Sequence, residues 1–202
     1  MELDINGGVV LLDEPELHLY PGRQRIMLAA LSEISSVCNL QFIVMSHSPW
    51  MVDNESISNT FRVFKKDDAS DVYAPPKDFL EKSKSKDLVQ IVNVLNSEKM
   101  FFSDKVILVE GVGDRIIFEE LLRELQNTLG INEEIQIIEV FGKGNLKKFR
   151  DFLVKWRIKS YIIADEDYAD DLMIEADHKI SKIRLISSLK EEGIFILSRG
   201  GD

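Results

Sequence analysis

The chain has 202 residues, 45% hydrophobic and 30% charged, with a formal net charge of −10. That composition excludes a disordered polyelectrolyte and leaves one large or two small domains, with a sizeable core in either case. The single cysteine, Cys38, excludes an internal disulfide and any cysteine-based zinc site, and the acidic balance argues against a generic basic nucleic-acid binder.

In chain order, Val9 to Leu12 reads as a buried strand that follows Gly7-Gly8 and ends in Asp13-Glu14-Pro15-Glu16. Pro21 is placed to open a helix, since its missing N–H costs nothing in a first turn. Ile26, Ala30 and Ile34 then recur at helical spacing. Phe42 to Met45 predicts a second buried strand, ending in Ser46-His47-Ser48-Pro49, and Thr60 to Phe64 a third. From Lys65 to about Asp104 the texture is that of loop and linker, with Pro75-Pro76 and the run Lys82 to Lys86. Leu88, Ile91, Val92 and Leu95 mark one amphipathic helix inside it. The expected division is a first lobe over residues 1–66, a linker over 67–104 and a second domain over 105–202.

The second half alternates. A strand at Val106 to Val109 precedes a helix whose apolar face is Phe118, Leu121, Leu122, Leu125 and Leu129, with Gly130 as its stop. A strand at Ile135 to Phe141, a helix carrying Leu146, Phe149, Phe152, Leu153 and Trp156, and a strand at Tyr161 to Ala164 follow. An acidic loop, a helix near Lys179 to Leu189 and a short strand at Ile194 to Leu197 complete the series. Strands alternating with helices predict an α/β fold with a parallel sheet.

Two strands in this half end abruptly in carboxylates. Glu110 follows Val109, Gly111 and Gly113 allow a tight turn, and Asp114 starts the next helix; Asp165, Glu166 and Asp167 follow Ala164. Ligands of open parallel sheets bind beyond the carboxyl ends of the strands. Glu110, Asp114, Asp165 and Asp167 at that edge make an oxygen-rich pocket of the kind Mg²⁺ or Mn²⁺ prefers. Glu166 points the opposite way if strand geometry persists through it. In the loop Gly142-Lys143-Gly144-Asn145 the glycines let the backbone approach a phosphate and Lys143 supplies charge, unless the loop is an ordinary glycine turn. Seven cations between Lys143 and Lys159 against Asp151 alone are either a phosphate track or a solvated helix face.

The first set, VVLLDEPELHLYP with IVMSHSPWMV, resembles the second half of an ABC-type ATPase head of the kind found in the SMC and OLD families. The resemblance implies that Asp13 is the Walker B aspartate holding Mg²⁺ through water, Glu14 the glutamate that activates water, and His47 the switch histidine at the γ-phosphate. The second set, VEGVGD, FGKGN and ADED, resembles a Toprim domain. Glu110 corresponds to its first-motif glutamate, Asp165 and Asp167 to its DxD pair, and Asp114 to the OLD-like variation. An ABC head followed by Toprim resembles the OLD arrangement, which the nuclease subunits of Gabija-type antiphage systems share.

The implied activity is metal-dependent DNA endonuclease action by two-metal phosphodiester hydrolysis, with Glu110, Asp114, Asp165 and Asp167 as ligands and Lys143 assisting. The resemblance also implies regulation by the ATPase half, self-association through it, a helicase partner, and further acidic and lysine residues beyond Asp202. A non-catalytic ABC/Toprim assembly module is the alternative. Toprim-based primases bring cysteine-rich zinc sites, and a strand-passing enzyme needs a nucleophilic tyrosine, for which Tyr20, Tyr73, Tyr161 and Tyr168 offer no context. No apolar run approaches the roughly 20 residues that span a membrane, and no signal-peptide pattern precedes the first strand, so the expected location is the cytoplasm.

No GxxxxGK[ST] phosphate loop occurs in the chain, and Leu197-Ser198-Arg199-Gly200-Gly201 only echoes the ABC signature, on the wrong side of both motif sets. The chain therefore reads as a C-terminal piece of a longer protein, in which ATP is bound only together with an upstream Walker A. The expected result of calorimetry on this chain is no specific ATP binding; micromolar affinity would contradict it.

Overall fold

The computed structural model describes residues 7–52, 56–66, 68–74, 97–175 and 182–197. Two compact units divide the chain, Met1–Thr60 and Phe61–Asp202. The expected helix on Leu88, Ile91, Val92 and Leu95 lies outside the described residues.

In the first unit, β1 (Gly8–Asp13) pairs in parallel with β2 (Leu40–Met45), register Asp13↔Met45, and α1 (Pro21–Cys38) connects them. Pro21 opens α1 as expected, and Asn39 in the left-handed conformation ends it. The helical spacing of Ile26 and Ile34 holds, yet no residue of α1 is buried. A two-stranded sheet is too narrow to cover an 18-residue helix, and Val9, Leu11, Ile43 and Met45 are exposed as well.

The second unit begins earlier than the sequence suggests. β3 (Arg62–Lys66), shifted two residues from the expected strand, forms an antiparallel hairpin with β4 (Ala69–Tyr73), where a loop was expected. Cross-strand pairing overrides the weak strand preference of Ala69, Ser70 and Asp71. Arg62 fixes the hairpin in this unit by donating to the carbonyls of Phe101 (3.1 Å), Arg157 (2.9 Å) and Ser103 (3.3 Å). Arg157 stacks over Tyr73 and reaches Asp71. The boundary therefore falls after Thr60, and the hairpin joins the larger body instead of spacing two bodies apart.

Its centre is a parallel sheet ordered β6 (Ile135–Glu139), β5 (Lys105–Val109), β7 (Lys159–Asp165), β8 (Ile194–Leu197). The path moves from β5 to β6 on one side and then crosses to β7 on the other. Right-handed crossovers in opposite directions put the connecting helices on opposite faces. These are α2 (Val112–Leu129) and α3 (Leu146–Lys155). Leu146, Phe149, Phe152 and Leu153 of α3, with Trp156 just after it, are fully buried against Val106, Leu108, Ile162 and Ala164. Trp156 also meets the Phe101 ring edge-on at 4.9 Å. On the other face, α2 offers the sheet only half-buried Phe118 and Leu122, while Leu121, Leu125 and Leu129 of the expected apolar face stay exposed. An open depression of about 270 Å³ remains there, lined by Lys105, Ile107, Ile135, Tyr161, Ile163 and Phe195, and contains none of the carboxylates discussed above.

α4 (Glu166–Glu175) replaces the acidic loop expected after β7, and α5 (Lys182–Glu191) precedes β8. Glu166 and Asp167 stand in the first turn of α4, where negative charge complements the helix dipole, and Tyr168 and Ala169 are buried. No helix among the described residues is long and apolar enough to cross a membrane.

Trp156→Ala removes the largest fully buried side chain, and the expected loss of stability is about 3–5 kcal/mol. Urea unfolding followed by circular dichroism measures it; a loss under about 1 kcal/mol would show that α3 does not hold the sheet.

Candidate functional site

The order of the second sheet reverses between β5 and β7, and an open α/β sheet forms its binding crevice at such a point. The ladder between these strands runs as far as Leu108↔Ile162, so Glu110 and Asp165 both emerge at this edge. The expected acids are thus brought to one place by two adjacent parallel strands and the helices that leave them.

Each acid is held differently. Asp114, in the first turn of α2, accepts a 3.2 Å hydrogen bond from the Gly111 N–H, which closes the helix start. Gly111 is extended rather than left-handed, so the turn does not depend on a glycine there. Asp165 ends β7 and Asp167 is the second residue of α4, in its first turn. Because helix replaces strand at Glu166, the alternation that was to turn Glu166 away does not apply. Glu110 is half-buried, and its Oε1 is buried without a hydrogen-bond partner. Burial first, then the charge of Asp167, pushes its carboxyl above the ordinary value of 4.5; Asp165 and Asp114 add to this, while a hydrogen bond from the Asp165 backbone N–H opposes it.

Lys143 supplies the opposing charge. Its Nζ lies 2.9 Å from Asp167 Oδ2 and 2.9 Å from Asp171 Oδ2, and these two hydrogen bonds raise the ammonium's pKa further. Asp171 was not singled out from sequence, although its position four residues after Asp167 is the helical signal for one face. Glu139, also missed, ends β6 at the same edge and holds Arg115 at 2.7 Å. Among the described residues, no three His, Cys, Asp or Glu are gathered closely enough to hold a metal ion as they stand.

The FGKGN loop is tied to this edge through its backbone. The Gly142 N–H donates to the Glu110 carbonyl at 2.8 Å, and Gly142, with φ 108°, occupies backbone space closed to other residues. Asn145 Nδ2 donates to the carbonyls of Val140 (2.9 Å) and Phe141 (3.4 Å). Phe141 is itself left-handed, φ 55°, at a cost of roughly 1–2 kcal/mol for a side chain of this kind. The basic stretch that follows is not one face: Arg150 hydrogen-bonds the Glu192 carbonyl, Arg157 is engaged with the hairpin, and Lys159 lies over Tyr161. Lys147 and Lys148, on the exposed side of α3, are the part consistent with a phosphate track.

In the first unit, Asp13 ends β1 and the Glu14 N–H continues the ladder to the Met45 carbonyl at 2.9 Å. Glu14 is left-handed, φ 44°, and its carboxylate lies 3.3 Å from the exposed His47 Nε2. Glu16, not anticipated, is 6% exposed and accepts a hydrogen bond from Ser46 Oγ, which in turn accepts one from the Ser48 N–H at 2.9 Å. That chain fixes the turn carrying His47.

The family model for the TOPRIM domain of Overcoming lysogenization defect protein-like proteins matches residues 101–167, and the AAA ATPase domain model matches residues 3–52. The first match contains Glu110, Asp114, Lys143, Asp165 and Asp167, and the second contains Asp13, Glu14 and His47. The Old nuclease of Escherichia phage P2 is 28% identical over 174 residues, spanning both regions in one alignment that covers 85% of this chain. Together these matches support an OLD-family ATPase–Toprim protein.

The OLD nuclease of Thermus scotoductus is 26% identical over 171 residues, covering 79% of the chain. These alignments take in 29% of the phage protein and 31% of the Thermus protein, so the chain spans under a third of their length. The C-terminal region of the Xanthomonas campestris OLD protein superposes with a TM-score of 0.38 at 22% identity, over 52% of this chain and 54% of that one.

Because Glu110 is penalised only when ionised, the pH dependence has a definite sign. Well below 4.5 it is protonated in both folded and unfolded chains and the penalty is absent; the penalty grows as pH rises to the folded-state value and is constant above it. Glu110→Gln is therefore expected to raise the Tm of the metal-free chain at neutral pH and to leave it unchanged well below 4.5. Thermal unfolding across that range checks it, and an equal effect at both ends would remove burial of charge as the cause.

Proposed function

We propose that this chain carries the nuclease centre of a metal-dependent DNA endonuclease of the OLD type, with part of its regulatory ATPase. The observation that carries the reading is the buried, unpartnered oxygen of Glu110 beside Asp114, Asp165 and Asp167 at the reversal point of the sheet. An orphaned carboxylate oxygen among other carboxylates is a donor type suited to a hard divalent cation, Mg²⁺ or Mn²⁺, and the four acids would have to draw closer than they stand to share one. Divalent ions held there would supply an activated water and neutralise the charge developing on a phosphodiester.

The protein's own groups have separate tasks. Glu110 and Asp114 serve one side of the centre, Asp165 and Asp167 the other. Lys143, poised on Asp167 and Asp171, is close enough to exchange a carboxylate for a phosphate oxygen when DNA enters. The nuclease names borne by the phage P2 and Thermus relatives support the assignment of nucleic-acid phosphodiester chemistry. Asp13, Glu14 and His47 would face the ATP phosphates once a phosphate loop is supplied, and Glu16 with Ser46 would keep His47 in place. Self-association through the ATPase region and a helicase partner belong to the same proposal, as does a role in phage defence or DNA processing.

The assembly-module reading is favoured by one observation, the exposed apolar residues Val9, Leu11, Ile26, Ile43 and Met45 of the first unit. Nicking of supercoiled plasmid by this chain in Mn²⁺, with an EDTA control, separates the two. Cleavage by the unmutated chain, reduced about 100-fold or more in Asp165→Ala, is expected. Cleavage by Asp165→Ala at the unmutated rate would overturn the site, and an unmutated chain that binds neither Mn²⁺ nor DNA would favour the module.

A further inference from the structure

Phe141 has no task in the scheme above, and its placement is costly on two counts. The ring is 57% exposed, and the residue is left-handed, φ 55°, where a side chain branched into an aromatic ring is uncommon. Neither feature helps the core. Both are imposed by the surrounding hydrogen bonds: Asn145 Nδ2 holds the carbonyls on either side of the Phe141 N–Cα unit, and the next N–H, that of Gly142, is fastened to the Glu110 carbonyl. Strained backbone that the neighbouring structure over-determines is found where a side chain must be aimed. Phe141 lies two residues after the end of β6, in the loop fastened to the Glu110 carbonyl at the edge that carries the acids. Lys143, two residues on, touches Asp167, and Lys147 and Lys148 are exposed on the helix that follows.

An exposed aromatic ring beside cations that can follow a phosphate backbone is the combination by which proteins hold unpaired nucleotides. We infer that Phe141 stacks on a nucleobase adjacent to the scissile phosphate, so that the centre engages DNA as a locally unpaired strand. The inference rests on the nuclease reading and adds the form of its substrate. Stacking suits a ring on a rigid turn, because every base presents a π-face and little ordering entropy is lost on binding. The preference it confers is for single-stranded or frayed DNA without regard to sequence.

The test uses the whole chain with a fluorescently labelled single-stranded oligonucleotide and the matching duplex, in Ca²⁺ to hold binding apart from cleavage. Anisotropy is recorded for the unmutated chain, Phe141→Ala, Phe141→Asn and Phe141→Trp. Asn tolerates the left-handed backbone, so Phe141→Asn removes the ring and keeps the turn even if Phe141→Ala disturbs it. Single-strand Kd is expected to rise about 5- to 100-fold in the Ala and Asn variants and to recover in Phe141→Trp, with duplex Kd little changed. The indole introduced by Phe141→Trp should be quenched by the strand, a signature that a purely structural ring would not give. If the unmutated chain binds the strand and nicks plasmid while Phe141→Asn binds it equally, the stacking inference falls and the nuclease reading stands. If the unmutated chain neither binds the strand nor nicks plasmid, both fall.

Discussion

Like charges gathered at one edge of a sheet repel, and Glu110 bears the largest share of that cost because one of its oxygens is buried without a partner. A fold carrying such a group needs strong support elsewhere, and the second unit supplies it on the opposite side of the same strands. Val106 and Leu108 of β5, the strand that ends in Glu110, are fully buried beneath Phe149, Phe152 and Trp156. The apolar burial stabilises the strands whose polar ends are destabilising, so the acids can stay close without the sheet opening. Lys143 lowers the repulsion further in the absence of any bound cation, through its two aspartates. The same charge makes the centre responsive: any cation or phosphate that enters must exchange with contacts already made.

The parts of the fold with continuous apolar runs were legible in the sequence. Strands β5 to β8 announce themselves as short apolar runs, Val106 to Val109, Ile137-Ile138, Tyr161 to Ala164 and Ile194 to Leu197, and the abrupt ends in Glu110 and Asp165 point to the edge where the acids meet. What was not legible depended on partners distant in the chain. The hairpin strand Ala69–Tyr73 has little strand propensity and exists because Arg62–Lys66 lies beside it. The helix from Glu166 was hidden by its acidity, which reads as a loop until helix-dipole placement is considered. Lys143 and Asp167 could each be named from sequence, but their contact, and the third member Asp171, required the fold of α4.

The two units differ in how far they satisfy their own apolar patterns. In Phe61–Asp202 the spacing of Leu146, Phe149, Phe152, Leu153 and Trp156 translates directly into burial. In Met1–Thr60 the equally regular spacing along α1 yields helix without burial, because a pattern specifies a face and only a neighbouring surface can cover it. Polar contacts hold the His47 turn independent of how much of α1 is covered: Glu14 meets His47, and Glu16 Oε1 accepts from the Ser46 hydroxyl that Ser48 also engages, while Glu16 Oε2 is buried without a partner.

Arg62 has a consequence for how this gene can vary. By binding the carbonyls of Phe101 and Ser103 it joins residues about forty positions apart in the chain to one body. Phe101 in turn meets Trp156 edge-on, so a single guanidinium links the hairpin to the core beneath β5. A change at Arg62 would therefore be felt in two places at once, leaving carbonyls of both segments to find other donors. An insertion in the short path between β5 and α2, where Asp114 closes onto Gly111, would instead separate Glu110 from its neighbours.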